Sequence, residues 1–559
     1  MTQLVDPTIE ESVKSAKVIL NQQTVMAEQG QSLFDCAERL GIRIPTSCRK
    51  KGKCRECMVE VTSGMEFLTP LHASEEHMDG TLRLSCCARL LDDAGEVHCN
   101  TLKRGSIHIE VDAENLPDAA TGIELKPAVT RDGDTIYIEG EPVATSTGPL
   151  LGAAIDVGTT TIVLRVYNLE TGEAVAGTSF ESPQRFGGSD IMARIVFDTN
   201  DGTRLLQRTL LGHLAHCLDE LPIDSTDIYE MVVAGNATMR DLFFGLDVES
   251  IGQKPYRSQT EFDMLEGRAE STVITASAKR LRLPLNPAAR VYGLPLVGSH
   301  VGADTAACML AVALLDEEKT VALMDIGTNT EIVCGNKHSA KAASCPAGPA
   351  FEGGVVSCGM PGLDGAVETF NLNDDGSVAY TVIGDVAPVG VCGSGLVDAL
   401  SALLQHDVMD HFGRYTDGSD RFHIDRERHL YLTEADISEL AQAKGANVAG
   451  LNILLNNCGV SYDDLDVLYL AGGFARHLDI DAARRIGLIP NLPDEKIKKV
   501  GNAAIEGASI ALYSLPYRRR LEVFVKSIGH VELETDPNFF EHFVQGCQFE
   551  AFEEPPADA

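Results

Sequence analysis

The chain has 559 residues, a length that divides into several domains rather than enlarging one core. Its 44% hydrophobic and 23% charged residues are those of a soluble globular protein. A net charge of -36, no Trp and only 6% aromatics argue against nucleic acid or an anionic membrane surface as a partner.

The opening MTQLVDPTIEESVKSAK lacks the apolar stretch of a secretory signal. No later run approaches the ~18 apolar residues of a membrane span, so a cytoplasmic protein is expected. Fifteen cysteines are then a poor fit to a disulfide framework, and seven of them fall in the first 99 residues, which points to metal chemistry there.

Residues 16–100 read as one unit. Val18-Ile19-Leu20 begins a strand, Asn21-Gln22-Gln23 turns, and Thr24-Val25-Met26 returns as its hairpin partner. Ser32 caps a helix over SLFDCAERL that ends before Gly41. A cysteine loop follows, then strands around Met58–Thr62 and Leu82–Leu90. Hairpin, helix, metal loop, strand is a β-grasp pattern.

The loop holds Cys48, Cys54 and Cys57, and Arg83-Leu84-Ser85-Cys86-Cys87 offers a fourth thiolate. Four thiolates suit an iron–sulfur cluster or structural zinc. Zinc sites favour two close pairs, whereas here a triplet is joined by one, which favours iron. Arg49, Lys50, Lys51, Lys53 and Arg55 surround the loop in an otherwise acidic chain. They form either a solvated collar or a docking patch for an acidic electron donor or acceptor.

Residues 101–149 are rich in Gly and Pro and read as a linker or a small middle domain, with short strands expected at Ile107–Val111 and Ile136–Glu139. From Leu150 onward α/β alternation takes over, and the chain repeats itself. The run from Asp156 (Asp-Val-Gly-Thr-Thr-Thr) parallels that from Asp325 (Asp-Ile-Gly-Thr-Asn-Thr). Residues 150–559 are therefore expected to form two related lobes.

Each copy predicts a tight β-hairpin. At Gly158, Thr159 and Thr160, and again at Gly327, Thr328 and Asn329, backbone N–H groups and hydroxyls suit phosphate oxygens. Asp156 and Asp325 suit a magnesium ion or an attacking water. Asp190 and Asp304 are further carboxylates of this kind, or else caps. Gly393-Ser394-Gly395 opens a helix and offers an anion-facing N-terminus. Gly472 and Gly473, after the apolar strand Val467–Tyr469, allow the backbone close to a nucleoside. Cys345, Cys358 and Cys392 match no ligand spacing and are expected to be small buried hydrophobes.

Two phosphate hairpins at lobe spacing resemble the acetate kinase, sugar kinase, heat-shock ATPase and actin superfamily. The N-terminal part resembles plant- and adrenal-type 2Fe–2S ferredoxins, whose motif matches Arg83-Leu84-Ser85-Cys86 and so selects Cys86 over Cys87. The pairing is similar to the reductive activators of corrinoid proteins that serve methyltransferases and O-demethylases in anaerobes. Ser182 to Arg194, Val301 to Thr305, Ala347 to Gly353 and Gly390 to Leu396 carry that likeness further.

The resemblance implies a β-grasp 2Fe–2S domain and a ribonuclease H-like, actin-type ATPase using ATP with Mg2+. It implies electron transfer to a Co(II) corrinoid protein, and a homodimer through the ATPase region. Activation of another low-potential enzyme, such as a 2-hydroxyacyl-CoA dehydratase, or a small-molecule kinase with a redox-sensing domain, are the competing functions.

Overall fold

The computed structural model describes residues 15–44, 46, 48–53, 57–75, 78, 80–91, 95–101, 116, 117, 120 and 122–551. Cys54 and the strand expected at Ile107–Val111 lie outside these residues.

The N-terminal sheet contains β1 (Ser15–Leu20), β2 (Gln23–Glu28), β3 (Met58–Ser63), β4 (Leu82–Leu84) and β5 (Glu96–Thr101), in the order β2-β1-β5-β3-β4. Asn21 and Gln22 both take positive φ, 47° and 65°, which matches a tight hairpin turn to the twist of β1 and β2. The helix Leu33–Arg39 lies across this sheet. Ser32 and Asp35 form its capping box, and Leu33, Phe34, Cys36 and Ala37 form its buried face. This is the β-grasp arrangement.

The segment before residue 150 is not simply a connector. It contains a three-stranded antiparallel sheet, β6 (Val129–Asp132), β7 (Thr135–Ile138) and β8 (Glu141–Thr145). The sheet is held against the C-terminal region. Lys126 N–H donates to Tyr513 O and Leu515 N–H to Lys126 O, both at 2.8 Å. Glu139, at the β7–β8 turn, accepts from Arg290 at 2.5 Å and from Arg519.

Two six-stranded sheets follow. The first holds β9 (Leu151–Val157), β10 (Thr161–Asn168), β11 (Ala174–Glu181), β12 (Ile228–Ala234), β13 (Ile274–Ser277) and β14 (Arg290–Gly293), ordered β11-β10-β9-β12-β14-β13. The second begins with β15 (Val321–Ile326), β16 (Thr330–Asn336) and β17 (Ser339–Cys345). A small sheet of β18 (Ala366–Leu372), β19 (Val378–Val382) and β20 (Gly390–Val391) and a hairpin of β21 (Arg421–Asp425) and β22 (Leu430–Thr433) are inserted. Then β23 (Val467–Ala471), β24 (Ile497–Gly501) and β25 (Gly529–His530) complete it in the order β24-β23-β15-β16-β17-β25.

Both sheets share one plan: an antiparallel β-meander whose first strand pairs in parallel with a later strand. The repeat in the sequence is thus a repeat in space. Strands β9, β12 and β23 are buried along their full length, as strands covered on both faces must be.

The lobes meet through the helices Ala303–Ala311 and Ala503–Tyr513. A Cβ on Gly507 would lie 1.7 Å from Ala307 O, so only glycine permits this approach. No helix among the described residues is long and apolar enough to cross a membrane.

Candidate functional site

The two phosphate hairpins face one cleft of about 510 Å3 between the lobes, a volume typical of small-molecule sites. Asp156 and Asp325 are the penultimate residues of β9 and β15, so each carboxylate arrives just before its glycine turn. Gly158 is required, because a Cβ there would lie 2.3 Å from Thr161 O. Gly327 is freer, its nearest neighbour being Asn329 O at 3.4 Å. Gly158, Thr159, Thr160, Gly327, Thr328 and Asn329 all line the cleft.

Gly472 follows β23 with φ +100°, and a Cβ there would lie 2.4 Å from Ile326 O. The turn after β23 therefore packs against the second hairpin only with glycine in place. Gly473 has nothing within 4 Å of a Cβ and opens onto the cleft. Phe474 stacks on Phe351, with centroids 5.6 Å apart, and the two rings wall this end.

Gly393 and Ser394 line the cleft, but the Ser394 hydroxyl donates to Glu368 O at 2.8 Å. Gly395 is not among the lining residues. A Cβ there would lie 2.4 Å from Val367 O, so it serves helix packing. Asp190 does not line the cleft either. It caps the helix Ile191–Asp201, accepting from Ala193 N–H at 2.9 Å. Asp304 does reach the cleft. Cys345, Cys358 and Cys392 are buried, but Cys392 also lines the cleft, and its thiol donates to Val367 O at 3.4 Å.

Several groups were not singled out from sequence. Asn502 Nδ2 donates to Asp156 Oδ2 and Asn236 Nδ2 to Thr159 Oγ1, both at 3.0 Å. Glu352 accepts from the Thr328 hydroxyl and from Thr160 Oγ1 at 3.5 Å, so one carboxylate joins both hairpins. Behind the first hairpin, buried Arg194 donates to Thr159 O at 2.7 Å and Gly188 O at 3.0 Å. Glu352 and Arg194 lie within the segments that carried the family likeness, and that was their signal.

The charge of the cleft is one-sided. Among the described residues, Asp156, Asp304, Asp325, Glu331, Glu352 and Glu368 line it, and no Lys or Arg does. Burial pushes the Asp156 carboxyl up to about 6. Burial, then Asp325 and Asp156, push Asp304 to about 7. Asp325 and Glu352 are raised by burial, and Glu331 well above the carboxylate range by burial and the neighbouring carboxylates. An anionic triphosphate entering such a cleft needs a cation with it. Hard carboxylate oxygens are the donors that Mg2+ takes, usually few in number and with retained water. Among the described residues, no three His, Cys, Asp or Glu side chains gather tightly enough to hold a metal ion alone. One or two carboxylates plus phosphate oxygens and water is the pattern that remains.

At the cluster loop, Cys57 and Cys86 Sγ lie 3.3 Å apart and both are buried. A 2Fe–2S cluster takes two protein ligands per iron, and this pair is spaced for one of them. Arg49, Lys50 and Gly52 all take positive φ, which curls the loop, and Lys51 N–H points at Cys48 Sγ at 3.3 Å. The buried Cys57–Cys86 pair therefore suits two of the cluster's four thiolates. Cys86 is held down to about 6, chiefly by its contact with Cys57, whereas burial pushes Cys87 up to about 12. Cys87 does not point to the far side of a strand. Residues 85–87 form a turn after β4, and Cys87 Sγ stays 3.8 Å from Cys86 Sγ.

The basic collar is uneven. Lys50 pairs with Glu38 at 2.6 Å and Asp35 at 3.0 Å and lies over the Phe34 ring. Ser182 N–H donates to Thr160 O at 2.7 Å, and Arg185, three residues on, approaches Glu60 of β3 at 3.9 Å.

Residues 151–317 match the family model described as the RACo middle region. Residues 319–556 match the C-terminal domain of RACo, the ASKHA domain, and residues 18–91 a 2Fe-2S iron-sulfur cluster binding domain. The chain is 27% identical over 597 residues to the corrinoid activation enzyme RamQ of Eubacterium limosum, across 95% of this chain and 98% of the relative. It is 23% identical over 377 residues to a [Co(II) methylated amine-specific corrinoid protein] reductase of Methanosarcina barkeri, across 64% and 68%. A solved reductive activator for corrinoid, iron-sulfur protein superposes with a TM-score of 0.70 at 25% identity, covering 97% of this chain and all of that one.

Proposed function

From the premise that the chain belongs to the RACo family, we propose that it is an ATP-dependent reductase. It passes one electron from a 2Fe–2S cluster to the Co(II) corrinoid of a methyltransferase or O-demethylase protein, restoring Co(I). The observation that carries this reading is the presence of a thiolate loop and a two-hairpin nucleotide cleft on one chain.

Cys48, Cys54, Cys57 and Cys86 hold the cluster, which supplies one-electron transfer when bound. The backbones and hydroxyls of the two hairpins bind the phosphates. Asp156 and Asp325 hold Mg2+ or orient the attacking water. Gly393 and Ser394 face the nucleotide, with Gly395 supporting them, and Gly472 and Gly473 lie along the adenosine. Arg49, Lys51, Lys53 and Arg55 receive an acidic electron donor, which returns the electron spent. The protein works in the cytoplasm and pairs with a second copy through the ATPase region.

Energetics explain why ATP is needed. A plant-type cluster lies near roughly -400 mV. An acceptor ~120 mV lower disfavours the transfer about a hundredfold, or ~2.7 kcal/mol. Nucleotide moves the lobes only by its differential affinity for their open and closed states. Closure on the two hairpins provides that difference.

The test mixes the reduced, cluster-loaded chain with a Co(II) corrinoid protein and follows Co(I) absorbance with and without MgATP. Co(I) formation should require MgATP, with no phosphorylated small molecule as product. Co(I) formation indifferent to ATP defeats the proposal.

A further inference from the structure

The cluster loop and the nucleotide cleft leave a close pair of thiols unused. Cys334 lies in β16 and is fully buried. Cys458 is the last residue of the helix Glu434–Cys458 and is half-buried. Cys458 Sγ sits 3.8 Å from Cys334 O, and the two thiols hydrogen-bond each other.

The surroundings favour a thiolate at Cys458. Lys341 of β17 stands directly across the ladder from Cys334. Its Nζ donates to Asn457 O at 2.5 Å, one residue before Cys458. A partly exposed thiol beside a cation is the usual setting of a reactive cysteine, whereas structural buried cysteines are inert. The hydrogen bond with Cys334, and after it the Lys341 charge, hold Cys458 below the ordinary thiol range. The same hydrogen bond, with burial, pushes Cys334 up. Cys458 is therefore the thiol that ionises, and Cys334 keeps its proton. Gly459 follows at φ 67° as the helix cap, so Cys458 lies in a terminal turn, where helices open most readily. That freedom serves the short movement that brings two sulfurs to bonding distance.

We propose that Cys334 and Cys458 are a reversible redox pair, oxidised to an intramolecular disulfide by a low-molecular-weight disulfide of the glutathione class. The Cys458 thiolate attacks the small disulfide, which forms a mixed disulfide and releases one small thiolate. The Cys334 sulfur then attacks Cys458 Sγ, which forms the Cys334–Cys458 bond and releases the second thiolate. The pair loses two electrons, and its two protons end on the two small thiols.

Disulfides in reducing compartments are usually of this transient, redox-sensing kind. This one closes 124 residues of the second lobe. It ties the helix end to β16, whose first residue, Thr330, directly follows the second phosphate hairpin. Oxidation thus stiffens the lobe that carries that hairpin, at a site separate from the cluster thiolates.

The test incubates the full cluster-loaded chain anaerobically in glutathione buffers, from reduced to oxidised. Free thiols are then blocked and linked peptides mapped by mass spectrometry. A peptide joining Cys334 to Cys458 should appear in the oxidised buffers and vanish with dithiothreitol. The ATPase region of the oxidised chain should melt roughly 3–5 °C higher. Cys458→Ser should abolish both changes with cluster absorbance intact. Linkages confined to Cys48, Cys57, Cys86 and Cys87 overturn the proposal. So does a glutathione adduct on Cys458 that Cys334 never displaces, or a melting temperature that rises equally in Cys458→Ser.

Discussion

Replacing Asp304 with Asn should make the nucleotide-free protein more stable at pH 8 while weakening its grip on MgATP. Asp304 is held up to about 7 from the ordinary 3.8 by burial and by Asp325 and Asp156. An acid whose folded value is raised favours the folded state at low pH. That stability is lost as pH rises from the unfolded value near 4 to the folded value near 7. At about 1.36 kcal/mol per pH unit, the ceiling on the loss is about 4 kcal/mol. Asp304 retains some contact with the open cleft, and water there screens part of the penalty, so about 2 kcal/mol is expected. Asn keeps an acceptor for Thr305 N–H, which Asp304 Oδ1 now takes at 2.7 Å. The assay is thermal unfolding of the ATPase region in EDTA without nucleotide, at pH 8 and pH 5. The variant should melt roughly 2–3 °C higher at pH 8, with a clearly smaller gain at pH 5, where the wild-type carboxyl is protonated. A variant no more stable than wild type at pH 8, or a gain equal at both pH values, refutes the electrostatic argument.

Other changes test other parts. Cys87→Ser should keep the visible absorbance and the iron content of the cluster, whereas Cys57→Ser and Cys86→Ser should each lose them. Gly472→Ala drives a Cβ against Ile326 O at 2.4 Å in a left-handed conformation. It should lower ATPase-region stability by about 1–3 kcal/mol and weaken ATP binding by calorimetry, while Gly473→Ala leaves stability unchanged. Glu352→Ala unlinks Thr160 from Thr328 and should slow ATP hydrolysis about tenfold or more, read as kcat with the cluster spectrum intact.

The frame of the molecule was legible because its signals are local and repeated. Ser32 with Asp35, the Asn21-Gln22 turn and the duplicated hairpin runs each specify their own geometry over a few residues. The parts that were not legible depend on partners far along the chain. Asn502 reaches Asp156 across 346 residues and Thr160 reaches Glu352 across 192, and no periodicity announces such a pair. Asp190 shows the opposite case. An aspartate before Ile-Met-Ala-Arg suits a helix cap as well as a metal site, and capping its own helix is what it does. The strand expected over Leu82–Leu90 stops at Leu84, so alternation along a strand does not govern where the Cys87 sulfur points. Lys50 read as part of an open basic patch until Asp35 and Glu38 of the neighbouring helix were seen to claim it.

The small sheet of β6, β7 and β8 has a consequence for how the protein is made. Glu139 meets Arg519 across 380 residues, and Lys126 meets Tyr513 and Leu515. At ~5–20 residues per second, a ribosome needs roughly 20–75 s to supply those partners. The β-grasp unit is complete long before, so it can fold and acquire iron while the rest is still being translated. The sheet between them must wait, and its docking marks the moment when the redox module becomes attached to a finished motor.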